Sequence, residues 1–154
     1  MRCLSLLFAL VLALPAHAEQ SAREGWAVMP TQKSYDALIA AVKGAARENG
    51  LGVVTEAGPT GVARSRGIDI PGNRVIGLFN NDFAVRILGM SPSAMIEAPI
   101  RMYVTENPDG TATLSYKLPS YVFSFYADEG GEALATVAAE LDQLFASVAA
   151  AASE

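Results

Sequence analysis

The chain has 154 residues, of which 51% are hydrophobic and 18% are charged, with 11 basic and 16 acidic side chains. This length and composition predict one globular domain and exclude two ordinary domains or a disordered chain. The acidic excess and the scattered arginines argue against nucleic acid as a partner, because its phosphates need several Lys or Arg side chains on one face.

The N-terminus has the pattern of a secretory signal peptide. A basic start at residues 1–2 precedes an apolar run over residues 4–14, and residues 16–18 form a small-x-small cleavage site. The run is shorter than the roughly 20 residues of a membrane-spanning helix, and no later stretch is predicted to span a membrane. We therefore expect cleavage between Ala18 and Glu19, a periplasmic or secreted mature protein, and no stable membrane insertion.

Cleavage would remove Cys3 and His17, the only cysteine and histidine, and leave a formal charge of −6. Without these residue types the mature chain has no ordinary zinc site, haem axial histidine, thiol nucleophile or His-based triad. We expect no metal and no cofactor, so any chemistry would depend on carboxylate, hydroxyl, amide, lysine and arginine groups.

The mature chain is predicted to begin with strand, helix and strand. A short strand starts at Trp26 and ends at Pro30, and a helix with Ser34 as N-cap follows, with apolar residues at helical spacing. Gly50 provides the left-handed residue that ends this helix, and residues 52–55 form the second strand.

A long irregular segment separates this unit from the next strand. Residues 57–73 contain several Gly and Pro breakers around a short helical turn, and such a loop in a compact domain is typically functional or loosely ordered. Residues 74–79 form a buried strand, and residues 80–82 then cap a short helix.

The second half is predicted to contain a hairpin, an aromatic segment and a long helix. Alternating residues 100–105 and 111–118 flank a turn at residues 107–110. Aromatic residues alternate over residues 121–125, and a long helix with apolar residues at 3-4 spacing follows Gly131. The order predicts an α+β fold, in which an antiparallel sheet of about five strands has its helices packed on one face.

Residues 34–126 resemble the domain-of-unknown-function 302 family, small bacterial proteins with an α+β fold. The resemblance is carried by the helix-to-strand junction at 49–54, the strand at 74–77 running into Asn80, the block 99–104, and the pairs 109–110, 115–116 and 119–120. It implies a fold similar to the TATA-box-binding-protein class, with the order β-α-β4-α. It divides the chain into a signal peptide (1–18), an N-terminal segment with the first strand (19–33), the family-like core (34–126) and a C-terminal packing helix of the same domain (127–154).

The chain departs from the family pattern at three places. Many members have Pro in place of Asn81, some have Cys near Phe79, and many have an Asp-His pair in place of Gly58-Pro59. Metal or thiol chemistry proposed for those relatives therefore does not transfer to this chain. The resemblance implies no catalytic residues, because the family has no agreed activity.

Two groups of residues are candidates for binding. The ligand-binding candidates are polar or aromatic residues near the sheet, with the Asn pair at a helix start able to present backbone N–H groups to an anion: Asn80, Asn81, Arg74, Arg101, Tyr103 and Tyr116. The interface candidates are the alternating aromatic residues Tyr121, Phe123 and Phe125, which are more typical of core and could also line a pocket. An ordinary N-cap is the more usual role of such an Asn and needs no ligand to explain it.

Acid-base and nucleophilic sites are weaker alternatives. Glu97 and Arg101 flank Pro99, and Glu106 and Lys117 are expected to face one another across the hairpin, both pairs being more typical of ion pairs than of acid-base catalysis. The serine and tyrosine hydroxyls have no histidine to activate them.

The sequence therefore predicts a periplasmic, non-enzymatic binding or accessory domain of the family, acting through its sheet face and the 57–73 loop. Its expected partners are a small ligand or an envelope protein, with a homodimer as its oligomeric state. Two alternatives stay open: a small-molecule enzyme using carboxylate, Tyr and Lys groups, and a structural oligomeric interaction module.

Overall fold

The computed structural model describes residues 22–154, so the expected signal peptide and its cleavage site lie outside the described residues. The strands are β1 (Trp26–Ser34), β2 (Gly52–Ala57), β3 (Asn73–Phe79), β4 (Ile100–Glu106) and β5 (Thr111–Lys117). The helices are α1 (Tyr35–Glu48), α2 (Thr60–Ser65), α3 (Asn81–Met90), α4 (Pro119–Phe123) and α5 (Ala127–Ser153). Short 3-10 turns cover Ser93–Glu97 and Ser124–Tyr126.

The five strands form one antiparallel sheet in the order β1-β5-β4-β3-β2. The two long helices, α1 and α5, contact each other and pack against the strands. The predicted α+β fold, with five strands in the order β-α-β4-α, is confirmed, and the shorter helices α2, α3 and α4 lie in its connections. β1 and β2 form the two edges of the sheet.

The core lies between the sheet and the helices, because each strand directs alternate side chains toward them. Leu114 and Val104 are paired across β5 and β4, and both are fully buried. The helices contribute apolar residues at 3-4 spacing that are also buried: Leu38, Val42 and Ala45 from α1, and Leu134, Val137, Leu141, Phe145 and Val148 from α5. The helix-facing side of the sheet is therefore a dry hydrophobic layer.

α5 starts earlier than the sequence predicts. It begins at Ala127, but Gly131 has φ 54° and ψ −149°, which interrupts the helical conformation, so the regular part does follow the two glycines. Within the part of the chain that the structure describes, Pro119–Ser153 is long and apolar enough to cross a membrane by length and composition. This corrects the expectation that no such stretch follows residue 18, although the buried core face of α5 accounts for its apolar character.

The first strand is also longer than predicted. β1 continues through Pro30 to Ser34, with a register shift between these two residues. Proline is tolerated there because β1 is an edge strand, where a missing N–H removes no bond from the sheet. Ser34 does precede α1, but its side chain makes no capping hydrogen bond.

The 57–73 loop is anchored at both ends. The Thr60 hydroxyl accepts a hydrogen bond from the Asn73 N–H (3.0 Å), and the Glu106 carboxylate accepts one from the Gly72 N–H (2.6 Å). Its helical turn is the six-residue α2.

The expected Glu106–Lys117 ion pair is wrong. Glu106 pairs with Ala112 beside the hairpin turn, whereas Lys117 ends β5 at the far end of the hairpin.

Candidate ligand-binding cleft

The sheet face opposite the helices carries a row of side chains at one end. Trp26 pairs with Lys117, and Arg101 pairs with Gly77. Since Met102 pairs with Tyr116, the antiparallel register places Arg101 directly opposite Lys117. The row therefore places an indole, an ammonium and a guanidinium on three neighbouring strands, with Cβ atoms of adjacent members about 5 Å apart.

A second row lies alongside the first. It consists of Val28, Ser115, Tyr103 and Val75, which are paired in that order across β1, β5, β4 and β3. The Tyr103 hydroxyl is held by the side-chain amide of Asn73. Ser115 is fully buried, and its hydroxyl has no hydrogen-bond partner.

A cleft of about 540 Å³ opens over these rows. Its lining combines aromatic and aliphatic side chains with a few polar ones: Trp26, Asn73, Val75, Glu97, Ile100, Arg101, Tyr103, Tyr116, Lys117 and Val122. The sheet supplies most of the lining, while Glu97 and Val122 come from the turn before β4 and from α4. The rigid sheet therefore positions most of the side chains around the cleft.

Lys117 has an aromatic rather than an acidic neighbour. Lys117 Nζ lies 5.9 Å from the centre of the Trp26 ring, and the Arg23 guanidinium lies 5.8 Å from it. Among residues 22–154, neither Arg101 nor Lys117 has a carboxylate within ion-pair distance.

Glu97 is the carboxylate among the lining residues. Its Oε1 accepts a hydrogen bond from the Tyr126 hydroxyl (2.7 Å), and this bond raises the pKa of Tyr126. With Arg101 and Lys117 against Glu97, the lining has a formal charge of +1, whereas the mature chain is expected to carry −6.

Within residues 22–154, no group of three or more acidic, His or Cys side chains is placed to hold a metal ion.

Three of the six expected ligand-binding residues, Arg101, Tyr103 and Tyr116, meet at this cleft. Tyr116 belongs to the helix-facing side of β5, where it packs against Phe145 with ring centres 5.8 Å apart, and it reaches the cleft at its margin. Burial raises the pKa of Tyr116, and the Asp142 carboxylate adds to this effect. Tyr116 thus remains a neutral phenol.

Arg74 lies on the other face of the sheet, because it pairs with the buried Val104. Its Nη1 is 3.5 Å from the Glu56 carboxylate, which Lys43 also contacts at 2.7 Å. The hydrogen bond from Lys43, followed by the charges of Lys43 and Arg74, lowers the pKa of Glu56. Arg74 is therefore part of an ion-pair network with α1 and does not reach the cleft.

Asn80 caps α3. Its Oδ1 accepts hydrogen bonds from the N–H groups of Asp82 (2.9 Å) and Phe83 (3.2 Å), and its Nδ2 donates to the Gly50 carbonyl (3.0 Å). The side chain therefore occupies the helix N-terminus that an anion would need. Asn81 is exposed and does not line the cleft.

The three interface candidates do not form one alternating stripe. Pro119 starts a helix that ends at Phe123, so the alternating aromatic residues of this segment do not share one face. Phe123 is buried in the core, whereas Phe125 is 69% exposed. Tyr121 stacks edge-on against Phe125, with ring centres 5.5 Å apart.

Sequence reasoning missed most of the remaining lining residues. Lys117 could have been found, because the hairpin turn places Arg101 and Lys117 at the same far end of the two strands. Trp26 had no such signal, since the pairing of β1 with β5 joins segments about ninety residues apart. Glu97 was noted only beside Arg101, and no pattern placed Val122 at the sheet.

Comparison with known proteins supports the architecture. The sequence model of the family described as "Domain of unknown function DUF302" matches residues 27–150. A crystal structure of an uncharacterized conserved DUF302 protein from Bacillus stearothermophilus superimposes with a TM-score of 0.72 at 18% identity, covering 84% of this chain and 99% of that one. A search of curated proteins finds no match. Since the family match spans most of the chain, the protein belongs to the DUF302 family.

Proposed function

We propose that the mature protein is a non-enzymatic periplasmic domain that binds a small molecule in the cleft on the open face of its sheet. The observation that carries this proposal is the cleft itself. Its volume of about 540 Å³ is within the range of small-ligand sites, roughly 300–1,000 Å³. Its mainly apolar lining with a few polar groups is also typical of such sites.

The sheet face supports the proposal better than the 57–73 loop does. The loop lines two hollows of about 370 and 260 Å³ together with residues from the hairpin turn and the start of α1. Those hollows are smaller than the cleft and largely polar. Asn73, where the loop meets β3, lines the cleft itself. The loop therefore enters the proposal only through Asn73.

The periplasmic part of the proposal depends on the signal-like pattern of residues 1–18. It is tested by native mass spectrometry of protein purified gently from a periplasmic fraction. We expect a mass that begins at Glu19. A protein that retains residues 1–18, or that is found only in the cytoplasm, would contradict this part without affecting the cleft.

Binding is tested by a fragment screen that follows the fluorescence of Trp26, which is the only tryptophan in the chain and lines the cleft. Val75→Trp is designed to fill the cleft, and Val85→Trp is the matched control because Val85 is 62% exposed on α3. Each variant contains a second tryptophan, which would complicate the fluorescence signal. Fragment binding to the parent and the two variants is therefore compared by ligand-observed NMR. We expect fragments that bind the parent and Val85→Trp but not Val75→Trp.

A second cleft-filling variant distinguishes a blocked cleft from a folding defect. Val122→Trp approaches the cleft from α4, so it blocks the site without changing a strand of the sheet. Thermal unfolding of each variant shows whether it is folded. The proposal fails if no fragment binds the parent, or if the hits bind equally well to folded Val75→Trp and Val122→Trp.

A further inference from the structure

We infer that the ligand of this cleft is a small amphipathic anion, with an apolar body and a carboxylate that lies between Arg101 and Lys117. This inference rests on the proposed function and adds the chemical class of the ligand. Its first support is the register of the sheet, which places the two cations directly opposite each other on neighbouring strands.

Like charges in directly opposed positions of a sheet are destabilising. The chain has acidic residues in excess, yet none of those described forms an ion pair with Arg101 or Lys117. Other cations without an ion pair, such as Arg47 and Arg66, are single side chains, exposed like Arg101 and Lys117. Arg101 and Lys117 differ because they are adjacent to each other and line a cleft.

The same face holds a second unfavourable feature. Ser115 precedes Lys117 by two positions on the same side of β5 and belongs to the second row, where it pairs with Tyr103. It is fully buried and its hydroxyl is unpartnered, which costs free energy. Locally unfavourable groups of this kind are found mostly at functional sites, although Ser115 itself does not line the cleft.

The rest of the lining defines the apolar part of the ligand. Trp26, Tyr103 and Val75 provide flat aromatic and aliphatic surface beside the two cations. Glu97 approaches from the turn before β4 and is already hydrogen-bonded to Tyr126. A ligand carboxylate would therefore be attracted to the Arg101 and Lys117 side and repelled by Glu97, which fixes its orientation.

The test uses shape-matched probes that differ only in charge. Each triplet consists of an arylalkyl carboxylate, its neutral amide and the corresponding amine: 3-phenylpropionate, 3-phenylpropionamide and 3-phenylpropylamine, with indole and naphthalene analogues of each. Affinities for the mature protein are measured by titration calorimetry at low salt. We expect the carboxylates to bind about tenfold more tightly than the amides, as hydrogen bonds to charged groups allow.

Three variants test which side chains cause the preference for carboxylates over amides. Arg101→Gln and Lys117→Gln should each reduce the carboxylate affinity severalfold and the amide affinity less, so that the ratio of carboxylate to amide affinity falls. Glu97→Gln should increase carboxylate affinity, because it removes the repelling charge. Arg47→Gln is the matched control, since Arg47 is exposed at the end of α1 and does not line the cleft.

The outcomes separate the two proposals. If an amide or amine binds at least as tightly as its carboxylate, the anion inference is wrong while the binding function stands. The same conclusion follows if the Arg101→Gln and Lys117→Gln variants keep the full carboxylate preference. If no member of any triplet binds and the fragment screen also finds no cleft ligand, the proposed function itself fails.

Discussion

The two faces of the sheet differ in whether their charged side chains form ion pairs. On the helix-facing side, Glu56 lies between Lys43 and Arg74 and contacts both. On the open side, Arg101 and Lys117 lie opposite each other without a carboxylate partner among the described residues. The covered face therefore neutralises its charges within the protein, whereas the open face leaves a positive pair beside an apolar surface.

The faces also differ in packing. The helix-facing side is closed by α1 and α5 over fully buried residues such as Val104 and Leu114. The open side has a cleft of about 540 Å³ above the same strands. One face of the sheet therefore stabilises the fold, whereas the other carries the cleft of the proposed binding site.

The largest effect should come from opening the packed face. Phe145 is 1% exposed and stacks against Tyr116, so Phe145→Ala should lower the free energy of unfolding by about 3–5 kcal/mol, through lost burial and a new cavity. Urea unfolding followed by circular dichroism measures it. Phe125→Ala is the control, because Phe125 is 69% exposed and its loss should change stability by no more than about 0.5 kcal/mol. Equal losses would show that the core is misassigned.

The two arginines should respond with opposite signs. Arg74→Gln removes a partly buried ion pair and should destabilise the protein by about 1 kcal/mol. Arg101→Gln relieves a like-charge contact and should stabilise the ligand-free protein by about 0.5 kcal/mol. Chemical unfolding at low and high salt measures both changes, and salt should reduce each. A loss of stability in Arg101→Gln would mean that its guanidinium has a stabilising partner.

The ion pair on the covered face should also create a dependence on pH. Because the pKa of Glu56 in the folded protein is below its usual value of 4.5, the pair stabilises the fold above that pH and loses its contribution as pH falls through the folded-state pKa. Glu56→Gln should therefore be less stable than the parent at neutral pH, and the difference should disappear in acid. Glu48→Gln, at the exposed end of α1, is the control. A constant difference across this range would contradict the pairing.

The smallest effect on stability is expected at the exposed aromatic residue. Phe125 is the interface candidate that remains at the surface, stacked on Tyr121. If a homodimer forms through it, Phe125→Asp should give a folded monomer with nearly unchanged unfolding energy, because the core is untouched. Size-exclusion chromatography with light scattering measures the mass. A parent that is already monomeric, or a variant that stays dimeric, would exclude this interface.

Most of the fold was predictable because it depends on local patterns. The turn at 107–110 and the alternation around it specify the hairpin, and the 3-4 spacing specifies α5. The prediction for the aromatic segment is wrong because three alternating aromatic residues are also compatible with a helical segment. In such a segment Phe123 points into the core while Tyr121 and Phe125 lie on the other side. Pro119 was the signal for a helix start that would have corrected this.

The site was predictable only in part. Arg101 and Tyr103 lie on one strand, so their common face follows from the alternation of the sequence. The prediction that Arg74 lies with them is wrong because the face of Arg74 depends on the register between β3 and β4, which the sequence does not specify. A shift of one residue in that register moves a side chain to the opposite face. Trp26 joins the cleft through a long-range pairing that no local pattern reveals.

Mapping where an anionic ligand binds tests the cleft on the open face most directly. Mature protein is titrated with 3-phenylpropionate while its backbone amide and Trp26 indole signals are followed by NMR. We expect saturable shifts concentrated at Trp26, Arg101, Tyr103 and Lys117, with little change around Arg74 on the other face of the sheet. Shifts concentrated around Arg74 and α1, or no saturable shift at the open face, would contradict this expectation.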